Sequence, residues 1–289
     1  MSESSLLIAT DLDRTLLPNG AEPEAAGSMA LFARLAALPA VNLAYVSGRH
    51  RELVEDAIAE FGIPRPDFVI GDVGTSIYHV DRDGRWSQPT SWEDDIAGDW
   101  GGRDATTLAK LLDDIEALRL QPPDRQNRCK LSYFVPMGLP GRELEPEILE
   151  RLGAEGIAAR LVWSIDEPAA TGLLDILPAR ASKLHALEAL MLMEGFSPGH
   201  TVFCGDSGND LEVLASPVPA VLVGNAQADV RELALRLARQ EGWEDRLYIA
   251  RGGYLGMNGN YSAGMLEGIA HYHPEVTDWL AAESGTKED

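Results

Sequence analysis

The sequence predicts an α/β fold: a Rossmannoid core with a parallel sheet, interrupted by an inserted α+β domain. Three observations predict it. Short apolar runs such as Leu6-Leu7-Ile8-Ala9 and Val41-Asn42-Leu43-Ala44-Tyr45-Val46 alternate with stretches of helical periodicity, as buried parallel strands and their crossover helices do. The alternation breaks at Gly74 and returns at Leu173. Clusters of Asp, Ser, Gly and Lys stand at the ends of several apolar runs, and open α/β sheets bind ligands beyond the carboxyl ends of their strands. The expected organisation is a core of residues 1–84 and 173–289 around an insertion of residues 85–172.

Acidic residues outnumber basic ones by 46 to 24, a net charge of -22, which argues against nucleic acid or an anionic membrane as partner. A phosphate ester would be repelled by this field unless Lys, Arg and a divalent cation reverse its sign locally. Met1 to Leu6 lacks the basic and long apolar regions of a signal peptide, and no apolar run approaches a bilayer span, so a cytoplasmic protein is expected. Cys129 and Cys204 are too few for a disulfide scaffold, and Cys204, inside Thr201-Val202-Phe203-Cys204, is expected to act as a small buried hydrophobe.

Taken in order, the first strand delivers Asp11-Leu12-Asp13-Arg14-Thr15, two carboxylates two residues apart, to its carboxyl end. A helix over Glu24 to Leu38 stops at Pro39, and the Val41–Val46 strand then delivers Ser47-Gly48-Arg49. A hydroxyl, a small residue and a cation at a strand-to-helix junction make a phosphate cradle, because the next helix aims its free N–H groups there; a capping Ser with an exposed Arg would read alike. A helix over Arg51 to Phe61 and a strand over Phe68 to Ile70 follow, then a hairpin arm from Gly74 to Val80. The insertion carries helices over Thr106 to Leu118 and Glu143 to Leu152, with strands over Lys130 to Val135 and Ala159 to Ile165. Its Trp86, Trp92 and Trp100 fit either sugar stacking or a small hydrophobic core.

Leu173 to Pro178 is expected to bring the chain back to the core sheet, and Lys183 then opens a helix, where a cation is disfavoured unless an anion lies close. The Thr201–Cys204 strand runs into Gly205-Asp206-Ser207-Gly208-Asn209-Asp210, whose two Asp residues suit oxygen ligation of a hard cation such as Mg2+. Strands over Ala220 to Asn225 and Arg246 to Ala250 flank a helix over Asp229 to Arg239. A mobile Gly-rich loop from Gly252 to Gly264, a final helix ending near His273-Pro274 and a frayed polar tail after Leu280 complete the expectation.

The four polar stretches, in this order, resemble the motifs of the haloacid dehalogenase superfamily of phosphotransferases. The resemblance implies that Asp11 is the nucleophile and Asp13 the general acid and base. It implies Mg2+ held by Asp11, the Asp13 carbonyl and Asp206, with Asp210 and Asn209 in support. Ser47, Gly48, Lys183 and Asn209 would then bind the phosphoryl group, and Arg49 the substrate. The insertion resembles the larger α/β, type II cap of the sugar phosphatases. Gly74 to His79, Gln126 to Tyr133 and Cys204 to Asp210 look like the sucrose-phosphatase family, which would turn Asn127, Lys130 and Ser132 toward sugar hydroxyls. That family implies hydrolysis of a disaccharide phosphate, sucrose 6-phosphate or mannosylfructose phosphate, with a sugar-phosphate synthase upstream; another sugar-phosphate phosphatase or a phosphomutase is the alternative. Two residues depart from the pattern: Arg14, where Gly or Asn is usual, and Phe134, where a polar residue is usual.

Overall fold

The computed structural model describes residues 5–137, 141–166 and 169–284. The chain begins with β1 (Leu6–Thr10), α1 (Ser28–Ala36), β2 (Val41–Val46), α2 (Arg51–Phe61) and β3 (Phe68–Gly71). β4 (Ser76–Val80) and β5 (Trp86–Ser87) then turn back antiparallel, and α3 (Ser91–Ile96) leads to α4 (Ala105–Lys110). β6 (Arg119–Leu120), β7 (Leu131–Val135), α5 (Gly141–Ala154), β8 (Ala159–Asp166) and β9 (Thr171–Pro178) follow. The remainder is α6 (Lys183–Glu194), β10 (Thr201–Gly205), α7 (Leu211–Leu214), β11 (Ala220–Leu222), α8 (Ala228–Glu241), β12 (Leu247–Ile249), α9 (Tyr261–Tyr272) and α10 (Glu275–Ser284).

The larger sheet has the order β12-β11-β10-β1-β2-β3-β4-β5. β1 pairs in parallel with both β10 and β2, so the strand order reverses at β1 and a crevice opens beyond its carboxyl end. All of β1 is buried because both faces are covered: Leu7 and Ala9 pack with Ala186 and Leu187 of α6, whereas Leu6 and Ile8 pack with Phe32 of α1 and Leu266 of α9. This is the expected α/β core with a largely parallel sheet.

The smaller sheet, β6-β7-β9-β8, is antiparallel. Period-2 alternation sends Leu131, Tyr133 and Val135 of β7 and Leu174 and Ile176 of β9 into a core with Leu108 and Ile148 of the flanking helices. On the opposite face, Lys130, Leu173 and Asp175 reach the crevice.

Several expectations are corrected. Leu173 to Pro178 does not rejoin the core sheet: β9 is a central strand of the smaller sheet, hydrogen-bonded to β7 and β8. An apolar run announces a buried strand without saying which sheet buries it. The insertion also begins later than residue 85, because β5 still pairs with β4, and Trp92, Ile96 and Ala97 pack in the larger core beside Leu190. The first insertion helix ends at Lys110 and not at Leu118, and β6 was not foreseen. The Gly-rich segment is shorter than expected and tied down: Glu267 accepts from the N–H groups of Arg251 and Gly252 at 2.9 and 2.8 Å. Gly264 and Gly268 lie within α9, where a Cβ would come within 2.1 Å of the Gly259 carbonyl and 2.3 Å of Val221. Beyond Pro274, α10 runs to Ser284 with Leu280 buried; the expected frayed tail from residue 285 onward, like residues 1–4, lies outside the described residues.

Candidate active site

The crevice beyond β1 gathers side chains from the ends of β1, β2 and β10 and from the N-terminus of α6. Asp11 is buried, its N–H donating to the Cys204 carbonyl at 2.9 Å, which ties the first loop to β10. Ser182 caps α6 by accepting from the His185 N–H and so sets Lys183 in the first turn. Lys183 Nζ lies 3.0 Å from Asp11 Oδ1, 2.8 Å from Asp210 Oδ1 and 3.0 Å from Asn209 Oδ1. Its three N–H donors are thereby matched by three oxygens, and this is the compensating anion that its placement required. Gly205 is needed here, since a Cβ would meet the Asp210 carboxyl carbon at 2.6 Å. That close approach lets Asp210 Oδ2 accept from the N–H groups of Asp206 and Ser207, both at 3.1 Å.

Carboxylate oxygens of Asp11, Asp206 and Asp210 all lie within 4.8 Å of one another. Burial pushes the Asp11 carboxyl well above the usual carboxylate range, against the pull of Lys183 and with repulsion from Asp210 adding to it. Burial and Asp210 likewise push Asp206 up to about 6. Lys183 goes the other way from what its burial favours, held protonated by Asp11 and Asp210. Asp206 Oδ1 accepts from Thr15 Oγ1 at 3.3 Å, whereas its Oδ2 is buried and accepts no hydrogen bond. Three clustered carboxylates, two of them paired with Lys183 and the third carrying an oxygen that accepts no hydrogen bond, form a donor set that fits a hard divalent cation.

Asp13 lies nearer the opening. Arg49 grips it with both arms, Nε to Oδ2 at 2.8 Å and Nη2 to Oδ1 at 2.6 Å, and Asn19 donates to Oδ1 at 2.8 Å. Burial works to raise this carboxyl, yet the Arg49 and Asn19 hydrogen bonds hold it below the usual range.

A cavity of about 320 Å³ joins the two domains here. Its core side is formed by Asp11, Asp13, Arg14, Gly48, Arg49, Asp206 and Asn209, and its cap side includes Gln121, Arg125, Lys130, Leu173 and Asp175. Not every anticipated residue reaches it. Ser47 is buried below the wall, its Oγ accepting from the Arg49 N–H at 3.2 Å. Asn127 donates to Thr75 Oγ1 at 3.0 Å and accepts from the Cys129 N–H, which ties the cap to the core away from the cavity. Ser132 stands behind Asp175 and donates to its carboxylate. Lys130 does reach the cavity, where it pairs with Asp72 of the core at 3.0 Å in a buried contact. Trp86, Trp92 and Trp100 pack elsewhere, against Tyr78, in the larger core and in the cap core respectively. Asp175 is the residue sequence reasoning missed; a lone carboxylate inside Leu173-Leu174-Asp175-Ile176 was the available signal.

The sequence matches the family model described as Sucrose-6F-phosphate phosphohydrolase over residues 4–273. This chain belongs to that family. It is therefore a phosphoric monoester hydrolase of the haloacid dehalogenase superfamily. A protein of Nitrosococcus oceani with the provisional name HAD-like hydrolase is 52% identical over 99% of this chain and 76% of its own length. Sucrose-phosphatase 1 of Nicotiana tabacum is 30% identical over 79% of this chain, which spans about half of that longer protein, 52% of its length. Mannosylfructose-phosphate phosphatase of Agrobacterium fabrum is 31% identical over 66% of this chain and 73% of its length. Among solved structures, the sucrose-phosphatase of Synechocystis sp. PCC6803, in complex with sucrose and phosphate, superposes with a TM-score of 0.69 at 26% identity, covering 94% of this chain and 99% of that one. Among the described residues, no helix of the phosphatase is long and apolar enough to cross a membrane.

Proposed function

We propose that this phosphatase hydrolyses a disaccharide phosphate, sucrose 6-phosphate or mannosylfructose phosphate, with Mg2+ and through an aspartyl-phosphate on Asp11. The observation that carries the reading is the convergence of Asp11, Lys183, Asp206 and Asp210 beneath a cavity whose opposite wall is the cap. A phosphate monoester resists attack by an anion, so a carboxylate nucleophile needs positive charge around it. Lys183 supplies one such charge. Mg2+, held by Asp11, the Asp13 carbonyl and Asp206 with Asp210 and Asn209 behind them, would supply the rest and orient the phosphoryl oxygens.

Asp11 attacks phosphorus and the sugar alkoxide leaves. Asp13 protonates that alkoxide, then accepts a proton from the water that cleaves the acyl phosphate. An acid held below its usual range is poorly suited to the first task, so the Arg49 clamp on Asp13 must open when substrate enters, with Arg49 turning to the substrate's own negative charge. The Gly48 backbone stands at the N-terminal side of α2, where its neighbours' free N–H groups favour a phosphoryl group. On the cap side, Lys130 and Asp175 are the groups that would hydrogen-bond the sugar, with Ser132 and Asp72 orienting them. A cap that closes on the bound sugar keeps water from the acyl phosphate until the alkoxide has left. The substrate must come from a synthase-type reaction that joins two sugars with the phosphate already in place. The deciding experiment is phosphate release from a panel of phosphorylated disaccharides with and without Mg2+. Release from a fructose-containing disaccharide phosphate, at least tenfold faster than from hexose monophosphates, is about the margin that two lost sugar hydrogen bonds predict; a preference for monophosphates overturns it.

A further inference from the structure

Arg14 is the charged residue at the cavity floor that the reaction above leaves unused. It follows Asp13 directly and has φ of 60°, in the left-handed region that Gly and Asn reach at little cost and a longer side chain at more. Its backbone is held there from both sides. The N–H donates to Asn19 Oδ1 at 2.8 Å, and the carbonyl accepts from Asn225 Nδ2 at 2.6 Å. Asn225 in turn accepts the N–H of Tyr261, which is itself at φ of 48°. The side chain is 41% exposed and places Nε 3.5 Å from Asp206 Oδ2, the buried oxygen that accepts no hydrogen bond. A divalent cation bound by Asp206 would add a second positive charge to a carboxylate that the guanidinium already faces, and two cations on one carboxylate repel. Arg14 also lines a second cavity of about 470 Å³ beside Glu22, Gln227 and Asn260, so polar space exists for it to move into.

We propose that Arg14 is a positioning residue that competes with the divalent cation for Asp206. It holds Oδ2 while the cation is away and swings toward Glu22 when the cation binds, so the protein takes up its cation more weakly than an uncharged residue here would allow. The inference rests on the Mg2+ assignment made under the proposed function.

The test is calorimetric titration of MgCl2 into the wild-type protein and the variants R14Q, R14N and R14K at fixed ionic strength. R14Q and R14N should both bind Mg2+ on the order of tenfold more tightly, and R14K within about twofold of wild type. Gln keeps the backbone strain and loses the charge, whereas Asn loses both, so equal gains identify the charge as the cause. Unchanged or weaker binding by R14Q, or a gain confined to R14N, overturns the competition while leaving the metal assignment standing. Absence of Mg2+ uptake by wild type and variants alike overturns both.

Discussion

The floor and the roof of the cavity are built on different principles. The floor is charge packed where charge is expensive: Asp11, Asp210 and Lys183 are almost wholly buried, and each is tolerable only because the others are there. The roof is tied to the core by a buried pair, Lys130 with Asp72, but its Asp175 carboxylate is held by one side-chain hydrogen bond, from Ser132. A floor of this kind has one workable arrangement, as the step common to all substrates in the proposed mechanism requires. A roof of singly held side chains can be altered one residue at a time, which is where the choice of sugar would reside.

If that division is right, the floor should break hardest. Asp11→Asn removes the nucleophile of the proposed mechanism and should lower phosphate release by about 10⁴-fold or more, in a steady-state assay at saturating sugar phosphate. Lys183→Met leaves two buried carboxylates facing each other. It should abolish measurable turnover and cost about 3 kcal/mol in urea-induced unfolding, unless the carboxyls take up protons. A weaker effect follows from the raised Asp206 carboxyl. Its native form binds a proton more tightly than the unfolded chain does, so metal-free stability should fall as pH rises from the unfolded value of 3.8 through about 6. Mg2+ should offset that loss, and the Mg2+-induced rise in Tm should be larger at pH 7 than at pH 5, by a few degrees in differential scanning fluorimetry. An equal rise at both values would mean that Asp206 is not where the cation binds.

The same division explains what the sequence could reveal. Asp11, Asp13, Lys183, Asp206 and Asp210 were legible because the stretches that carry them, each explicable alone as a turn or a surface residue, together and in order resemble the motifs of one superfamily. Roof residues carry no such signature. Alternation along β7 places Lys130 and Ser132 on one face, but whether a side chain reaches the cavity or stops at a neighbour depends on β9, whose sheet the apolar run could not specify. Asn127 was misplaced for the same reason, since its partner Thr75 belongs to the core. Gly264 looked like a loop residue, yet it lies in α9 and, with Gly268, allows that helix to approach the Gly259 carbonyl and Val221. Arg14 could be flagged as unusual, but its relation to Asp206 needed coordinates.

On the roof, Asp175→Asn keeps the shape and one acceptor while removing the charge. It should raise KM about tenfold with kcat nearly unchanged, because a sugar contact made equally in ground and transition states affects binding alone. A fall in kcat of the same size would move Asp175 into the chemistry and erase the distinction between floor and roof.

The smallest effect expected is also the sharpest test of how the roof works. Ser132 donates to Asp175 and, being buried, has no contact with the cavity. Burial raises the Asp175 carboxyl, and the nearby Lys130 charge and the Ser132 hydroxyl counteract that rise. Ser132→Ala should therefore leave Asp175 less well oriented and easier to protonate, raising KM about threefold, the low end of what one hydrogen bond is worth, because Ser132 acts on the sugar only through Asp175. The rise should shrink as the pH is increased and Asp175 ionises again. In an Asp175→Asn background the same change should add little, because the carboxylate it supports is gone. Equal effects of Ser132→Ala in both backgrounds would show that Ser132 acts on the sugar by another route, and that roof side chains do not work in oriented pairs.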